Sequence, residues 1–243
     1  MRLRMLVWEI PAVLALAACG GAAGGRQPAQ TKDSTGAVRA TAPKDSTVRA
    51  DQRHPVLFVG TSLTAGLGLD PDSAYPALIQ RKIDSAGLTF HVVNAGVSGE
   101  TSAGARARMG WLLRQPFDVM VLETGANDGL RGTPVSETRA NIQAIVDTVR
   151  AVRPGVRIVL VQMEAPPNLG SRYTRAFHET FPLLAEKNGL TLLPFLLDSV
   201  AGHPALNQSD GMHPNDVGEK IVAENMWRGL EGVLAGRGEV VKR

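Results

Sequence analysis

The stretch Val56-Leu57-Phe58-Val59-Gly60-Thr61-Ser62-Leu63-Thr64-Ala65-Gly66 decides the fold. Its four leading apolar residues show no polar alternation, which predicts a strand buried on both faces, as in a parallel sheet covered by helices. The run stops at Gly60, and Ser62 follows just past the carboxyl end of the strand, where open α/β sheets place their ligands. A serine there can act as a nucleophile if a histidine elsewhere in the chain takes its proton.

From residue 54 onward strand and helix patterns alternate, which predicts one α/β domain over residues 55–243 with a doubly wound, three-layer α/β/α architecture of flavodoxin-like type. Strands are expected over 56–59, 90–93, 119–122, 156–161 and 190–193. Helices are expected over 74–86 and 102–113, from Thr133-Pro134 onward, over 172–188, and from Pro214 to about residue 234. Tyr75, Leu78, Ile79 and Ile83 share one helical face, as do Ile142, Ile145, Val146 and Val149, and Gly87 and Gly189 stop their helices. Right-handed crossovers between five parallel strands predict the order 2-1-3-4-5. The loops after Gly60, Val93 and Glu123 then open on one edge.

Each of those loops carries a small polar motif. Asn94-Ala95-Gly96-Val97-Ser98-Gly99-Glu100-Thr101 exposes backbone N–H groups to an anion, although alone it reads as a tight turn capped by Ser98 or Thr101. Gly125-Ala126-Asn127-Asp128-Gly129 alone reads as a turn whose Asn or Asp tolerates positive φ. In Asp210-Gly211-Met212-His213-Pro214 the carboxylate can accept from one ring nitrogen while the other faces outward. Alone that pair is equally surface chemistry or half a metal site, and no second His or acidic cluster lies near it in sequence. His54, His91, His178 and His203 read as surface or satisfied structural histidines; His203, the rival base, has no Asp three residues before it. Asp198 and Asp216 rank below Asp210 as its partner. Trp111 and Trp227 read as core residues of amphipathic helices.

Taken together, Gly60-Thr61-Ser62-Leu63, Gly99, Gly125-x-Asn127-Asp128 and Asp210-x-x-His213 resemble the four blocks of the GDSL, or SGNH, hydrolase superfamily. The resemblance is closest to the bacterial thioesterase I, lysophospholipase and arylesterase group, because Val93-Asn94-Ala95, Asn127-Asp128-Gly129-Leu130-Arg131-Gly132 and Leu193-Pro194-Phe195 are also similar. It implies a serine esterase acting on aryl esters, acyl thioesters or lysophospholipids through an acyl-enzyme. Ser62 would be the nucleophile, His213 the general base and Asp210 its orienting partner. The oxyanion hole would comprise the Ser62 and Gly99 N–H groups and the Asn127 amide, with no metal or cofactor. A carbohydrate deacetylase on the same scaffold and a non-catalytic binding lipoprotein are the alternatives, and the five intact residues argue against the second. Leu130-Arg131-Gly132 would form a rim of the acyl site. One position departs from the family pattern: Thr61 stands where Asp is usual. The loop also lacks the second Gly of a G-x-S-x-G elbow, which argues against the α/β-hydrolase fold.

The chain has one cysteine, Cys19, which excludes an intramolecular disulfide. Arg2 and Arg4 precede an apolar run over 10–18 that is too short to span a bilayer. Leu16-Ala17-Ala18-Cys19-Gly20 resembles the bacterial lipoprotein cleavage box. That resemblance implies a signal peptide over 1–18, lipidation of Cys19 and a periplasmic-side location in the cell envelope, with Gly20 favouring the outer membrane. Glu9 leaves an uncleaved anchor as the alternative. Residues 19–54 would be the lipidated Cys and a disordered tether, since almost no large apolar residue follows Cys19, with an average span of about 30–35 Å. Residues 1–54 hold 8 Lys+Arg against 4 Asp+Glu, and residues 55–243 hold 18 against 19. The near-neutral body has no basic face for nucleic acid. Its expected partners are a small ester or lipid-like substrate and, through the anchor, a membrane.

Overall fold

The computed structural model describes residues 53–236. The expected signal peptide, Cys19 and nearly all of the tether lie outside the described residues. The strands are β1 (His54–Gly60), β2 (Phe90–Gly96), β3 (Val119–Leu122), β4 (Arg157–Val161) and β5 (Thr191–Leu193). They form one parallel sheet in the order β2-β1-β3-β4-β5, as the alternation of elements predicts. His54, which the sequence assigns to the tether, heads β1.

Val56, Phe58 and Val59 of β1 and all four residues of β3 are fully buried, as central strands covered on both sides must be. The cover comes from α1 (Ser62–Ala65), α2 (Tyr75–Ser85), α3 (Ser102–Leu112), α4 (Ala126–Arg131), α5 (Val135–Val152), α6 (Ser171–Asn188) and α7 (Asp216–Leu234). Helix α2 packs on α7, while α3 packs on α5 and α5 on α6, giving a three-layer α/β/α domain. Tyr75, Ile79, Ile83, Ile142, Ile145, Val146 and Val149 fill the space between helices and sheet, all of them fully buried.

Several boundaries differ from the sequence reading for identifiable reasons. Strand β2 runs on to Gly96 because β1 keeps pairing with it as far as Gly60↔Gly96. The segments after Gly60 and Gly125 form the short helices α1 and α4 where loops were expected. At Gly60 an added Cβ would lie 1.9 Å from Thr64 Oγ1 and 2.6 Å from Glu123 Oε2, so only Gly lets α1 fold back over the strand end. The last helix starts at Asp216, not Pro214, because the Asn215 side chain caps it by accepting from the Val217 and Gly218 N–H groups. Trp111 is 57% exposed, not core, whereas Trp227 packs against the core.

One buried acid joins two helices of the same layer. Glu219, in the first turn of α7, is 1% exposed and accepts from the Tyr75 N–H at 2.7 Å, at the start of α2. Burial pushes its carboxyl up to about 8, the Tyr75 N–H opposes that shift, and Asp216 adds to it. A raised folded-state pKa stabilises the protein fully below the unfolded value near 4.5, and the benefit is lost as pH rises towards about 8. The wild-type melting temperature is therefore expected to fall between pH 5 and 8.5 more steeply than that of Glu219→Gln. Parallel curves for the two proteins would refute this.

Candidate active site

The nucleophile loop is built at the carboxyl end of β1. Thr61 caps α1, its Oγ1 accepting from the Leu63 N–H at 3.4 Å, and Ser62 is the first helical residue. Beneath the loop lies Glu123, which continues β3 by donating its N–H to the Val59 carbonyl at 2.9 Å. Its side chain is 1% exposed and accepts from the Thr61 N–H at 2.7 Å, from Thr61 Oγ1 at 3.0 and 3.1 Å, and from Thr64 Oγ1 at 2.9 Å. Tyr75 Oη completes the cluster at 2.8 Å from Thr64 Oγ1. Burial raises the Glu123 pKa, and these donors pull it back. The sequence reading passed over Glu123. Its signal was present: a charged residue directly after the all-apolar Val119-Met120-Val121-Leu122, in register with Gly60 (Val59↔Leu122).

Ser62 faces His213 across the carboxyl edge of the sheet, with Oγ 2.8 Å from His213 Nε2. His213 Nδ1 lies 2.6 Å from Asp210 Oδ2, while Asp210 Oδ1 accepts from the N–H groups of Met212 and His213 at 2.9 and 3.0 Å. Those two backbone donors and the imidazole hold the Asp210 carboxyl down at about 2, so it is ionised throughout the working range. An ionised carboxylate on Nδ1 leaves Nε2 as the acceptor for the Ser62 hydroxyl. The turn is fixed from outside by the Gln208 N–H on the His213 carbonyl at 2.7 Å and by the Asn207↔Pro214 bridge. His203 and Asp198 take no part in this row of three groups, and Asp216 belongs to the first turn of α7.

Gly99 and Asn127 line the same cavity as Ser62 and His213. Gly99 has φ +78°, a left-handed conformation that L side chains resist, and an added Cβ there would meet only the tip of Arg131. Asn127 Nδ2 donates to the Glu100 carbonyl at 2.9 Å, which orients the amide and leaves its second N–H for a ligand. Among the described residues neither the Ser62 nor the Gly99 N–H has a protein acceptor. Asp128 is buried and holds α4 against α3 by accepting from the Ser102 N–H at 2.7 Å and the Ser102 hydroxyl at 2.5 Å. Of the expected rim, Leu130 lines the cavity and is 52% exposed, whereas Arg131 turns back to donate to the Gly99 carbonyl at 3.0 Å. The cavity measures about 550 Å³, and Leu63, Met163, Ala165, Pro166, Phe195 and Leu197 make most of its wall apolar. Among the described residues no three His, Cys, Asp or Glu side chains cluster as metal ligands would.

Residues 58–221 match the model of the GDSL-like lipase/acylhydrolase family. The chain belongs to that family. It is 37% identical over 180 residues to Esterase TesA of Pseudomonas aeruginosa, an alignment covering 74% of this chain and 89% of the relative. To the thioesterase 1/protease 1/lysophospholipase L1 of Escherichia coli it is 37% identical over 189 residues, covering 77% and 88%. The fold superposes on a psychrotrophic esterase, EstA from Pseudoalteromonas, inhibited by monoethylphosphonate, with a TM-score of 0.70 at 33% identity, covering 75% of this chain and 99% of that one. This GDSL-family chain is accordingly a hydrolase of the esterase type.

The Thr61 departure acquires a physical meaning here. An Asp in its place would set a second carboxyl against Glu123 in a dry pocket, where two carboxylates cannot both ionise. Thr61→Asp is expected to hold a shared proton, so its stability relative to wild type should decline as pH rises from 5 to 9. Urea unfolding at both pH values measures this, and an unchanged difference would count against it.

Proposed function

We propose that Ser62, His213 and Asp210 form the catalytic triad of a serine esterase for carboxylic esters or thioesters with an aliphatic acyl group. The observation that carries this reading is the continuous row Asp210–His213–Ser62, with both bonds of hydrogen-bonding length, opening into an apolar cavity. Ser62 Oγ attacks the acyl carbon while its proton passes to His213 Nε2, and Asp210 stabilises the resulting imidazolium. The oxyanion is received by the Ser62 and Gly99 N–H groups and the Asn127 amide, each donor contributing about 2.7–4 kcal/mol to the transition state. His213 then protonates the departing alcohol or thiol, and a water deprotonated by His213 releases the acid from Ser62.

The apolar wall takes the acyl chain. Burying a methylene stabilises the complex by about 0.8 kcal/mol, or roughly fourfold in kcat/KM per carbon until the cavity is full. The relatives are named as an esterase and as a thioesterase and lysophospholipase, which supports acyl esters, acyl thioesters and lysophospholipids as the substrate class. The Arg2-to-Cys19 pattern supports a lipid anchor at Cys19 and a place on the periplasmic side of the bacterial envelope, the outer membrane favoured. Incorporation of labelled palmitate that disappears in Cys19→Ser is the expected result there, and equal labelling would refute it.

The decisive assay uses p-nitrophenyl esters from acetate to palmitate on wild type, Ser62→Ala and Asp210→Asn. Rates are expected to rise with chain length into the middle of the series and to vanish in Ser62→Ala. In Asp210→Asn they should fall by about four orders of magnitude, the effect of losing the tautomer-fixing carboxylate. Hydrolysis of acetate alone would move the assignment to a deacetylase. Equal, slow rates in wild type and Ser62→Ala would leave a binding protein.

A further inference from the structure

The cavity wall carries one anomaly. Among its lining residues, Glu164 is the only side chain besides His213 that can carry a charge. It follows Met163 in the loop after β4, and its side chain is 32% exposed. Oε1 is occupied twice: His178 of α6 lies with Nδ1 at 2.6 Å, and Gln162 Nε2 donates at 3.1 Å. Gln162 is itself buried, and its amide also donates to the Met163 carbonyl at 3.0 Å, so the loop that presents Glu164 is braced from below. One oxygen is therefore anchored, and the other, Oε2, has no protein partner among the described residues.

The sheet order gives the range. Strand β4 is two strands from β1, and at about 4.8 Å per strand the Glu164 loop stands roughly 10 Å along the cavity from the Ser62 loop. That is about the reach of an extended eight-carbon acyl chain. The walls between are apolar, so Glu164 is the one anionic side chain lining the cavity that a charge at the far end of the chain would meet.

We propose that Glu164 is a specificity-determining residue that reads the charge of the acyl chain, excluding chains ending in a carboxylate and favouring those ending in a cation. The inference rests on the esterase reading and on the acyl chain lying in the apolar cavity. A chain that spans this distance brings its terminal charge to within a few ångströms of Glu164, and repulsion between unit charges there, discounted for the partial exposure of the carboxylate, amounts to at least about tenfold in kcat/KM.

The test compares p-nitrophenyl octanoate, mono-p-nitrophenyl suberate and p-nitrophenyl 8-aminooctanoate on the full chain. It is run at pH 8, above the range in which imidazoles ordinarily protonate, with uncatalysed rates subtracted. Wild type, Glu164→Gln and Glu164→Lys are each scored by the ratio of kcat/KM between esters, a quantity that cancels differences in the amount of folded enzyme. The expected wild-type order is aminooctanoate, octanoate, suberate, with suberate about tenfold below octanoate. In Glu164→Gln the ratio should shrink to within threefold, and in Glu164→Lys suberate should overtake aminooctanoate. A merely structural role for the Glu164–His178 pair would change all three rates together and leave the ratios alone, which overturns the proposal. So does a wild type that takes suberate and octanoate equally. If wild type hydrolyses none of the three, the esterase reading itself fails, and this inference fails with it.

Discussion

A carboxyl group shut away from water must find its hydrogen-bond donors within the protein, and Glu123 finds all of its donors on one turn of chain. The Thr61 N–H and the hydroxyls of Thr61 and Thr64 converge on it from the segment that carries Ser62. Removing such a buried acceptor costs more than one hydrogen bond is worth, because the donors left behind are desolvated as well. The position of the proposed nucleophile is thus set by a group that never meets the substrate. Glu123 in turn owes its place to the β1–β3 register, which sets it beside Gly60. Gly60 owes its identity to the same crowding, since a Cβ there would collide with Thr64 and Glu123.

The remaining site residues show the same division between groups that face the cavity and groups that hold them. Asn127 lines the cavity, while the next residue, Asp128, faces inward and ties α4 to α3 through Ser102. Gly99 faces the cavity and Thr101 caps α3. Parallel topology brings these segments together, because every strand delivers its loop to the same edge. Much of the cavity wall comes from the loops after β4 and β5, joined by Leu63 and Leu67 from the segment after β1 and by Ala126 and Leu130 from the segment after β3.

Much of this was legible before any coordinates. Uninterrupted apolar runs of four marked β1, β3 and β4, as strands buried on both faces require, while the edge strands β2 and β5 were marked by apolar residues interrupted by His91 and Thr191. Helix boundaries were legible to within a residue or two wherever Gly or Pro punctuates them. Ser62, His213 and Asp210 come together as the family resemblance implied, and Gly99 and Asn127 line the same cavity. What was illegible depended on distant pairing. The extension of β2 to Gly96 follows from the length of β1, and the short helix over residues 126–131 is bounded by Gly125 and Gly132, both with positive φ. Glu123 reads as a strand-end polar residue until the register shows what lies beneath it. Trp111 misled for the converse reason: its helix has an apolar stripe, and the tryptophan falls outside it.

The Asp210–His213 pair occupies a single turn, locked by two backbone N–H groups and by the ring itself. Acid and imidazole are therefore tied to each other within one short segment. A displacement of that turn as a unit keeps the Asp210–His213 contact and changes the 2.8 Å gap to a serine held by a separate framework. The machinery is in effect two prefabricated halves meeting at one joint. If the triad proposed above operates, an influence acting anywhere on the segment from Asn207 to Pro214 would throttle turnover by opening that joint while each half keeps its own hydrogen bonds.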